Sequence, residues 1–86
     1  MDKTIIEFNA ISDKIMKLDN LKIEDDDKLT LYGYYKQATH GDCDIPAPSF
    51  FDYTNTAKYN AWNKNKGMNK QTSMQRYIIK AKLLMK

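Results

Sequence analysis

The sequence contains little cysteine, glycine or proline, and it has no long apolar run. Its single cysteine, Cys43, excludes an intrachain disulfide bond and is typical of a protein from a reducing compartment. Three glycines and two prolines provide few turn signals, which favours a few helices over many short strands. No segment reaches the roughly 18 apolar residues of a membrane-spanning helix, so we expect no stable membrane insertion.

The 86 residues are enough for one small core and too few for a second domain, so we expect a single domain over residues 1–86. The N-terminal segment is charged and amphipathic, and it lacks the continuous apolar stretch that marks a secretory signal. These features predict a cytoplasmic protein. A monomer is the default expectation for a domain of this size.

Acidic residues are missing from the C-terminal part of the chain. Residues 1–52 carry six lysines and eleven acidic residues, a net charge of −5, whereas residues 53–86 carry eight basic residues and no acid, a net charge of +8. Such a segment can be an ordinary solvated face or a surface that attracts an anion. Charge alone leaves RNA, an anionic membrane surface and a phosphorylated small molecule open. A small basic helical module that binds RNA or a membrane surface is therefore an alternative function.

Motifs of catalysis and metal binding are also sparse. No Gly-rich phosphate loop of the Gly-x-x-x-x-Gly-Lys type occurs. His40 and Cys43 flank a Gly-Asp turn, but a nucleophilic pair also needs a third group to orient it. With Asp42 and Asp44 they supply one imidazole and one thiol, fewer nitrogen and sulfur ligands than a structural zinc site uses. We expect no enzyme activity, no cofactor and no metal site.

Apolar periodicity and capping residues predict four helices, and hence an all-α bundle. The first helix covers about residues 3–18 and ends at Asp19 and Asn20. The second covers about residues 25–40. It has three aspartates in its first turn, where the helix dipole favours negative charge, and Gly41 as its stop.

The third predicted helix covers about residues 54–66, with Gly67 as a left-handed stop. The fourth begins with Asn69 or Thr72 as its cap and runs towards Met85. Its apolar residues form one stripe at helical spacing: Met74, Tyr77, Ile78, Ala81 and Met85. This stripe predicts the face of the fourth helix that packs against the core.

A long connection separates the second and third predicted helices. Residues 41–53 contain two prolines and a Gly-Asp turn, all of which disfavour helix. Phe50, Phe51 and Tyr53 are too apolar for a loose linker. We therefore expect this connection to lie across the core.

Two aromatic rings and a cation share one face of the second predicted helix. Tyr32, Tyr35 and Lys36 stand at positions i, i+3 and i+4. A second lysine, Lys58, lies one turn before Trp62 on the third predicted helix. Each tyrosine taken alone is more often a packing residue. As a set, rings that can stack on a base and cations that can hold a phosphate suit a nucleotide-like ligand.

Three sequence runs carry a resemblance to a known family. They are Tyr32-Gly-Tyr-Tyr-Lys-Gln-Ala-Thr-His-Gly-Asp42, Ala57-Lys-Tyr-Asn-Ala-Trp62 and Tyr77-Ile78. In order and spacing they resemble the acyl-CoA-binding protein family. The resemblance implies a four-helix bundle in up-down-down-up order, with a long connection between helices 2 and 3. It also implies an intracellular carrier and pool buffer of medium- and long-chain fatty acyl-CoA esters, without catalysis, with acyl-CoA-using enzymes rather than nucleic acid as partners.

The resemblance further implies roles for individual residues of this chain. Tyr35 would stack its ring on the adenine. Lys36 and Lys58 would pair with the 3′-phosphate of the ribose, and the Tyr32 hydroxyl would be a further donor to it. Tyr77 would contact the nucleotide or the pantetheine end near the thioester.

Weaker candidates for ligand contact are Met16, Leu29, Gly33, Tyr34 and Thr54. Gly33 costs about 1 kcal/mol relative to alanine inside a helix, which is compatible with close packing at that point. Met16 stands where family members often carry a lysine, with Lys14 and Lys17 nearby as replacements. Its flexible side chain could instead line an acyl groove. Thr54 stands where another family lysine is frequent.

Overall fold

The computed structural model describes residues 3–17 and 23–85. These residues form four helices and contain no strand, which confirms the all-α prediction. The helices are α1 (Lys3–Lys17), α2 (Asp25–Thr39), α3 (Tyr53–Asn63) and α4 (Lys70–Leu84). Within the described ranges, no helix is long and apolar enough to cross a membrane. The predicted end of the first helix, at residues 18–20, lies outside the described residues.

Polar side chains set the first residues of α3 and α4. The Asn69 side chain accepts a hydrogen bond from the backbone N–H of Thr72 at 2.7 Å, so Asn69 and not Thr72 caps α4. Asp52 accepts in the same way from the backbone N–H of Asn55 at 3.3 Å. Because of this cap, α3 begins at Tyr53, one residue before the predicted start.

Glycines in the left-handed conformation follow α2 and α3. Gly41 has a φ of 100° and Gly67 a φ of 90°, and residues with a Cβ rarely adopt such backbone angles. Both were predicted as stops. Helix α3 nevertheless ends at Asn63, before Gly67. The Lys64 N–H still donates to the carbonyl four residues back, whereas the N–H groups of Asn65, Lys66 and Met68 donate to carbonyls three residues back, so the chain tightens into a turn.

Helices α2 and α3 run in the same direction. At the middle of both helices Lys58 of α3 approaches Tyr32 of α2, and one turn later Trp62 approaches Lys36. Residue numbers therefore increase in the same direction along both helices. This parallel pairing is possible because the connection over residues 40–52 is long enough to return the chain to the other end of the bundle.

Helix α4 is antiparallel to α2 and parallel to α1. The pairs that show this are Asp27–Lys80 and Tyr35–Tyr77 between α2 and α4, and Thr4–Gln71 and Phe8–Tyr77 between α1 and α4. Along these pairs, residue numbers on α4 decrease as those on α2 increase, and they increase together with those on α1. The bundle therefore has the up-down-down-up order that the family resemblance implied.

The hydrophobic core lies between α1, α2 and α4. Its buried side chains are Phe8, Ile11, Leu31, Ala38, Tyr77, Ile78 and Ala81. Three of them belong to the predicted stripe of α4, and the other two stripe residues, Met74 and Met85, pack against the cluster. The predicted inner face of α4 is confirmed. Helix α1 packs on α4, α4 on α2 and α2 on α3, so α2 and α4 are the two inner helices of the bundle.

The predicted position of the connection between α2 and α3 is wrong in its aromatic part. Phe50, Phe51 and Tyr53 are 74%, 73% and 79% exposed and do not cover the core. Polar contacts at the start of α3 fix the backbone that carries these rings. The Asp52 backbone N–H donates to the Ser49 carbonyl at 2.8 Å, and the Asp52 side chain caps the helix. The two phenylalanine rings pack on each other, with centroids 4.1 Å apart.

The first part of the same connection is attached firmly to the bundle. One carboxylate oxygen of Asp42 accepts hydrogen bonds from Gln37 Nε2 and from the backbone N–H of Gly67, both at 2.8 Å. The Gly67 bond is the main reason that the pKa of Asp42 lies below its usual value, and the Gln37 bond adds to it. Gln37 also donates to the Met68 carbonyl at 2.9 Å. These bonds hold the ends of α2 and α3 together.

Candidate ligand-binding site

Tyr32 and Lys58 face each other between α2 and α3. The Lys58 ammonium lies 5.7 Å from the centre of the Tyr32 ring, within the range of a cation–π contact. Lys58 is exposed and Tyr32 is partly exposed. The two side chains are twenty-six positions apart in the sequence, and the parallel packing of their helices brings them together.

Lys36 lies one turn further along the same face of α2. Its ammonium is 4.7 Å from the centre of the Trp62 ring. Trp62 is only 2% exposed, and its indole Nε1 donates to the Gly41 carbonyl at 2.8 Å, so the ring is held in a fixed position. The edge of the His40 ring packs against it with centroids 5.2 Å apart. The Lys36 ammonium therefore lies against an aromatic ring that is held in place by its own hydrogen bond.

Gly33 explains why α2 and α3 come close enough for these contacts. An added Cβ at this position would collide with the backbone carbonyl oxygen of Ala61 and lie 3.0 Å from Asn65 Nδ2. The Asn65 amide in turn donates to the Ala61 carbonyl at 3.3 Å. The close packing suggested by Gly33 in the sequence is therefore present. Gly33 is buried where α2 contacts α3, and it lies between Tyr32 and Lys36 in the sequence of α2.

Tyr35 and Tyr77 belong to an aromatic cluster on the other side of Lys36. Their ring centroids are 6.1 Å apart, and Phe8 contacts both, at 5.7 Å from Tyr35 and 5.1 Å from Tyr77. Tyr35 is partly exposed, so part of its ring is available to a ligand, whereas Tyr77 is 3% exposed. Burial, with a smaller effect from Tyr35, raises the pKa of Tyr77 to about 12. The Tyr77 phenol is thus neutral and hydrogen-bond-competent at physiological pH.

The sequence patterns did not predict that Phe8 and Trp62 take part in this site. Phe8 is not among the predicted site residues, and Trp62 entered only as a neighbour of Lys58 within a family motif. The structure gives Phe8 a direct role in orienting Tyr35, and it gives Trp62 the same role for Lys36. No local signal reveals such pairs, because the partners lie on different helices.

The five weaker candidates are spread over the molecule. Met16 on α1 is 58% exposed, Thr54 at the start of α3 is exposed, and Leu29 is partly buried on α2. Tyr34 lies on a different side of α2 from the main residues, since successive helix positions rotate by about 100°. It lines a separate groove with residues of α4. Only Gly33 among the five lies within the helix contact that joins the candidate residues.

The cluster at His40–Asp44 is held by its own contacts. His40 Nε2 and an Asp44 carboxylate oxygen are 3.0 Å apart, and this hydrogen bond is the main reason that the pKa of Asp44 is lowered. Asp42 is directed towards Gln37 and Gly67 instead. Among the residues that the structure describes, no group of three His, Cys, Asp or Glu side chains is placed to hold a metal ion.

The arrangement on α2 and α3 combines charge, hydrogen-bond donors and aromatic faces. Lys36 and Lys58 each place an ammonium group next to a ring of the other helix, at two contacts that are one helical turn apart along the interface, and one of these rings, Tyr32, carries a phenol hydroxyl. A phosphate can accept charge-assisted hydrogen bonds from such a set, and the neighbouring, partly exposed ring of Tyr35 can stack on a base. Among the residues that the structure describes, none in this arrangement is placed to activate a nucleophile.

Comparison with known proteins gives a consistent result. A family profile described as Acyl CoA binding protein matches residues 6–81. The chain is 50% identical over 64 residues to mouse diazepam-binding inhibitor-like 5, covering 74% of each chain. It is 40% identical over 72 residues to the acyl-CoA-binding protein homolog of Drosophila melanogaster, covering 84% of this chain and 83% of that one. The crystal structure of Oryza sativa acyl-CoA-binding protein 2 superposes with a TM-score of 0.90 at 36% identity, over 96% of this chain and 89% of that chain.

Proposed function

The chain belongs to the acyl-CoA-binding protein family, and we propose on this premise that it binds medium- and long-chain fatty acyl-CoA esters as a carrier and pool buffer. It binds them without catalysing a reaction. The observation that supports this most directly is the pair of lysines, Lys36 and Lys58, each beside an aromatic ring on two adjacent parallel helices.

The ribose 3′-phosphate of the ligand occupies the position between the two lysines. Each ammonium has a cation–π contact, worth about 0.5–1 kcal/mol at an exposed site. A hydrogen bond to a charged phosphate contributes about 1.5–3 kcal/mol. The phosphate contact is the stronger of the two, so the ring contacts do not prevent Lys36 and Lys58 from pairing with the ligand. The Tyr32 hydroxyl donates a further hydrogen bond.

Aromatic contact orients the rest of the nucleotide. The exposed part of the Tyr35 ring stacks on the adenine, a contact worth about 1–3 kcal/mol. Phe8 supports Tyr35 from behind and keeps its plane fixed, so little side-chain freedom is lost on binding. The buried Tyr77 closes the same cluster near the pantetheine end, and ligand contact with it is limited to the small part that remains accessible.

The acyl chain supplies a large share of the affinity. Each buried methylene contributes about 0.8 kcal/mol, so a long fatty chain outweighs the polar contacts. Free CoA should therefore bind far more weakly than palmitoyl-CoA. Shielding the chain and thioester from water is the physical basis of a carrier that delivers its ligand to acyl-CoA-using enzymes. A cytoplasmic monomer suits this role.

Calorimetric titration with four ligands tests the function and the phosphate site together. Palmitoyl-CoA should bind most tightly, palmitate and free CoA much more weakly, and palmitoyl-dephospho-CoA should lose several kcal/mol because it lacks the 3′-phosphate. Equal affinity for all four, or no binding of palmitoyl-CoA, would refute the carrier function. Equal affinity for the two palmitoyl esters would instead keep the function and refute the role of Lys36 and Lys58.

Salt dependence separates this function from the RNA- or membrane-binding alternative. A protein that neutralises many phosphates loses affinity steeply as salt concentration rises. A ligand held mainly by its acyl chain shows a shallow dependence on salt and a strong dependence on chain length. Repeating the palmitoyl-CoA titration at several salt concentrations, beside a titration with single-stranded RNA, distinguishes the two.

A further inference from the structure

A second surface feature lies on the outer side of α2 and α4. It is a groove of about 430 Å³ lined by Tyr34, Arg76, Ile79, Lys80 and Leu83. Tyr34 is two positions from both Tyr32 and Lys36, a rotation of about 160–200° around α2, so the groove lies on the side opposite the lysine pair. The lysine pair proposed to hold the phosphate is therefore not part of this groove.

The groove contains a second apolar stripe on α4, outside the core. Ile79 and Leu83 are one turn apart and are 61% and 57% exposed, whereas the inner stripe of the same helix is buried around Tyr77 and Ile78. Single exposed aliphatic residues are ordinary on a protein surface. Two of them aligned in one groove, with the ring of Tyr34 as its other wall, form a contiguous apolar strip that fits another apolar surface.

Charge makes the groove selective. Helix α4 carries basic residues and no acid along its whole length. Lys80 is neutralised by Asp27 at 2.8 Å, whereas Arg76 is exposed and has no ion pair among the residues that the structure describes. Arg76, Ile79 and Leu83 stand at i, i+3 and i+7, so the strip has an unneutralised cation at one end. A partner with an acid at that end is favoured over a basic one.

The shape and charge of the groove distinguish between occupants. A second copy that presented its own α4 would bring a helix with no acidic residue against this basic one, which is unfavourable. A lipid surface offers anionic groups but no ridge of side chains to enter a concave strip between two helices. A helix with two apolar residues one turn apart and a neighbouring carboxylate matches both the strip and Arg76.

We propose that this groove, between Tyr34 on α2 and Ile79 and Leu83 on α4, is a docking site for an acidic amphipathic helix of a partner protein. The apolar side chains of that helix enter the strip, and a carboxylate pairs with Arg76. The partner helix and the phosphate-binding lysines lie on different sides of α2. On this proposal a partner binds the protein while the nucleotide end of the ligand remains in place.

An NMR titration with a defined probe tests the proposal. The probe is a helical peptide of about 18 residues with leucines three and four positions apart and glutamates beside them, a length at which a helix is stable enough to dock. The labelled protein is saturated with palmitoyl-CoA. Shifts should be confined to resonances around Tyr34, Arg76, Ile79 and Leu83, with none around Lys58. A peptide with lysine in place of each glutamate should bind about two- to fivefold more weakly.

Two pairs of variants provide matched controls. The double substitution Ile79→Ser with Leu83→Ser should reduce the affinity for the acidic peptide by about tenfold or more, since both apolar contacts are lost. Phe50→Ser with Phe51→Ser removes as much exposed apolar surface elsewhere and should leave peptide binding unchanged. Arg76→Glu should reverse the preference between the two peptides, and Lys64→Glu should not. All four variants change exposed side chains, and an unchanged circular dichroism melting curve establishes that each is folded.

Other results would overturn the proposal. Equal binding of the acidic and basic peptides, or shifts on another surface, would show that the groove does not select an acidic helix. Self-association in sedimentation that Ile79→Ser with Leu83→Ser abolishes would assign the groove to a second copy. Binding to phosphatidylserine vesicles that the same variant abolishes, without peptide binding, would assign it to a lipid surface. Palmitoyl-CoA affinity is measured for every variant, so failure of the docking site is distinguishable from failure of the carrier function.

Discussion

Lys58 of α3 and Tyr32 of α2 are in contact across the helix interface, with the ammonium 5.7 Å from the ring centre. The contact pairs a cation with an aromatic ring. It therefore keeps the lysine near the position where a phosphate would bind. The same arrangement recurs one turn later, where Lys36 lies over Trp62.

Replacing either lysine should weaken ligand binding without unfolding the protein. We expect Lys36→Ala and Lys58→Ala each to reduce palmitoyl-CoA affinity by about 1.5–3 kcal/mol, since each removes a hydrogen bond to a charged group. Calorimetry measures the loss. Lys64→Ala is the matched control, because it removes an exposed positive charge at the end of α3 on a different side of the helix. A loss of helicity in the first two variants would show that the lysines are structural.

The contact between α2 and α3 predicts an unusual response at Gly33. Alanine is ordinarily favoured over glycine inside a helix by about 1 kcal/mol. Here the added methyl group collides with the backbone of Ala61, and we expect Gly33→Ala to lower the free energy of unfolding by about 1–3 kcal/mol. Asn60→Ala, at an exposed position of α3, is the control that gains helix propensity without a collision. Stabilisation by Gly33→Ala in urea unfolding would contradict the close approach.

Burial of Trp62 predicts a large effect on stability. The ring is 2% exposed and its Nε1 donates to the Gly41 carbonyl, so we expect Trp62→Ala to cost about 3–5 kcal/mol. Trp62→Phe keeps most of the ring and should lose a smaller amount, at least about 0.5–1.5 kcal/mol for the missing hydrogen bond. Thermal and urea unfolding give both values. An unchanged melting temperature for Trp62→Ala would mean that the ring is not buried.

The exposed aromatic pair predicts the opposite behaviour. Because Phe50 and Phe51 are about three-quarters exposed, Phe50→Ser and Phe51→Ser should each change the free energy of unfolding by less than about 0.5 kcal/mol. Phe8→Ala, at a position 2% exposed, should cost about 3–5 kcal/mol in the same experiment. A comparable loss at Phe50 or Phe51 would indicate that the connection covers the core after all.

Tyr77 predicts a loss of stability at alkaline pH. Burial raises the pKa of Tyr77 from 10.0 to about 12, so the folded protein retains the phenolic proton more strongly than the unfolded chain. Its stabilising contribution is fully present below pH 10 and is lost as pH rises towards 12. The free energy of unfolding of Tyr77→Phe should therefore fall less steeply than that of the unchanged protein over this interval. Parallel curves from urea unfolding would show that the phenol is not desolvated.

Local sequence patterns were sufficient to predict the four helices. The aspartates at the start of α2, the left-handed glycines and the stripe of α4 are each set by interactions within a few residues, and the structure retains all of them. The choice between Asn69 and Thr72 was not decided by residue type, because both side chains can cap a helix. The aromatic residues of the connection were misplaced because apolar character predicts a tendency to be buried, whereas local polar contacts of Asp52 set where these rings point.

The sequence by itself determined the four helices, the shared face of Tyr32, Tyr35 and Lys36, and the family to which these motifs belong. These features depend on helical periodicity and on motif spacing, which are local properties. The tertiary structure decided that Lys58 meets Tyr32 and that Phe8 supports Tyr35. It also decided that Ile79 and Leu83 remain outside the core. Such relationships depend on how the helices are packed, because one helix presents several faces and only its neighbours determine which face is covered.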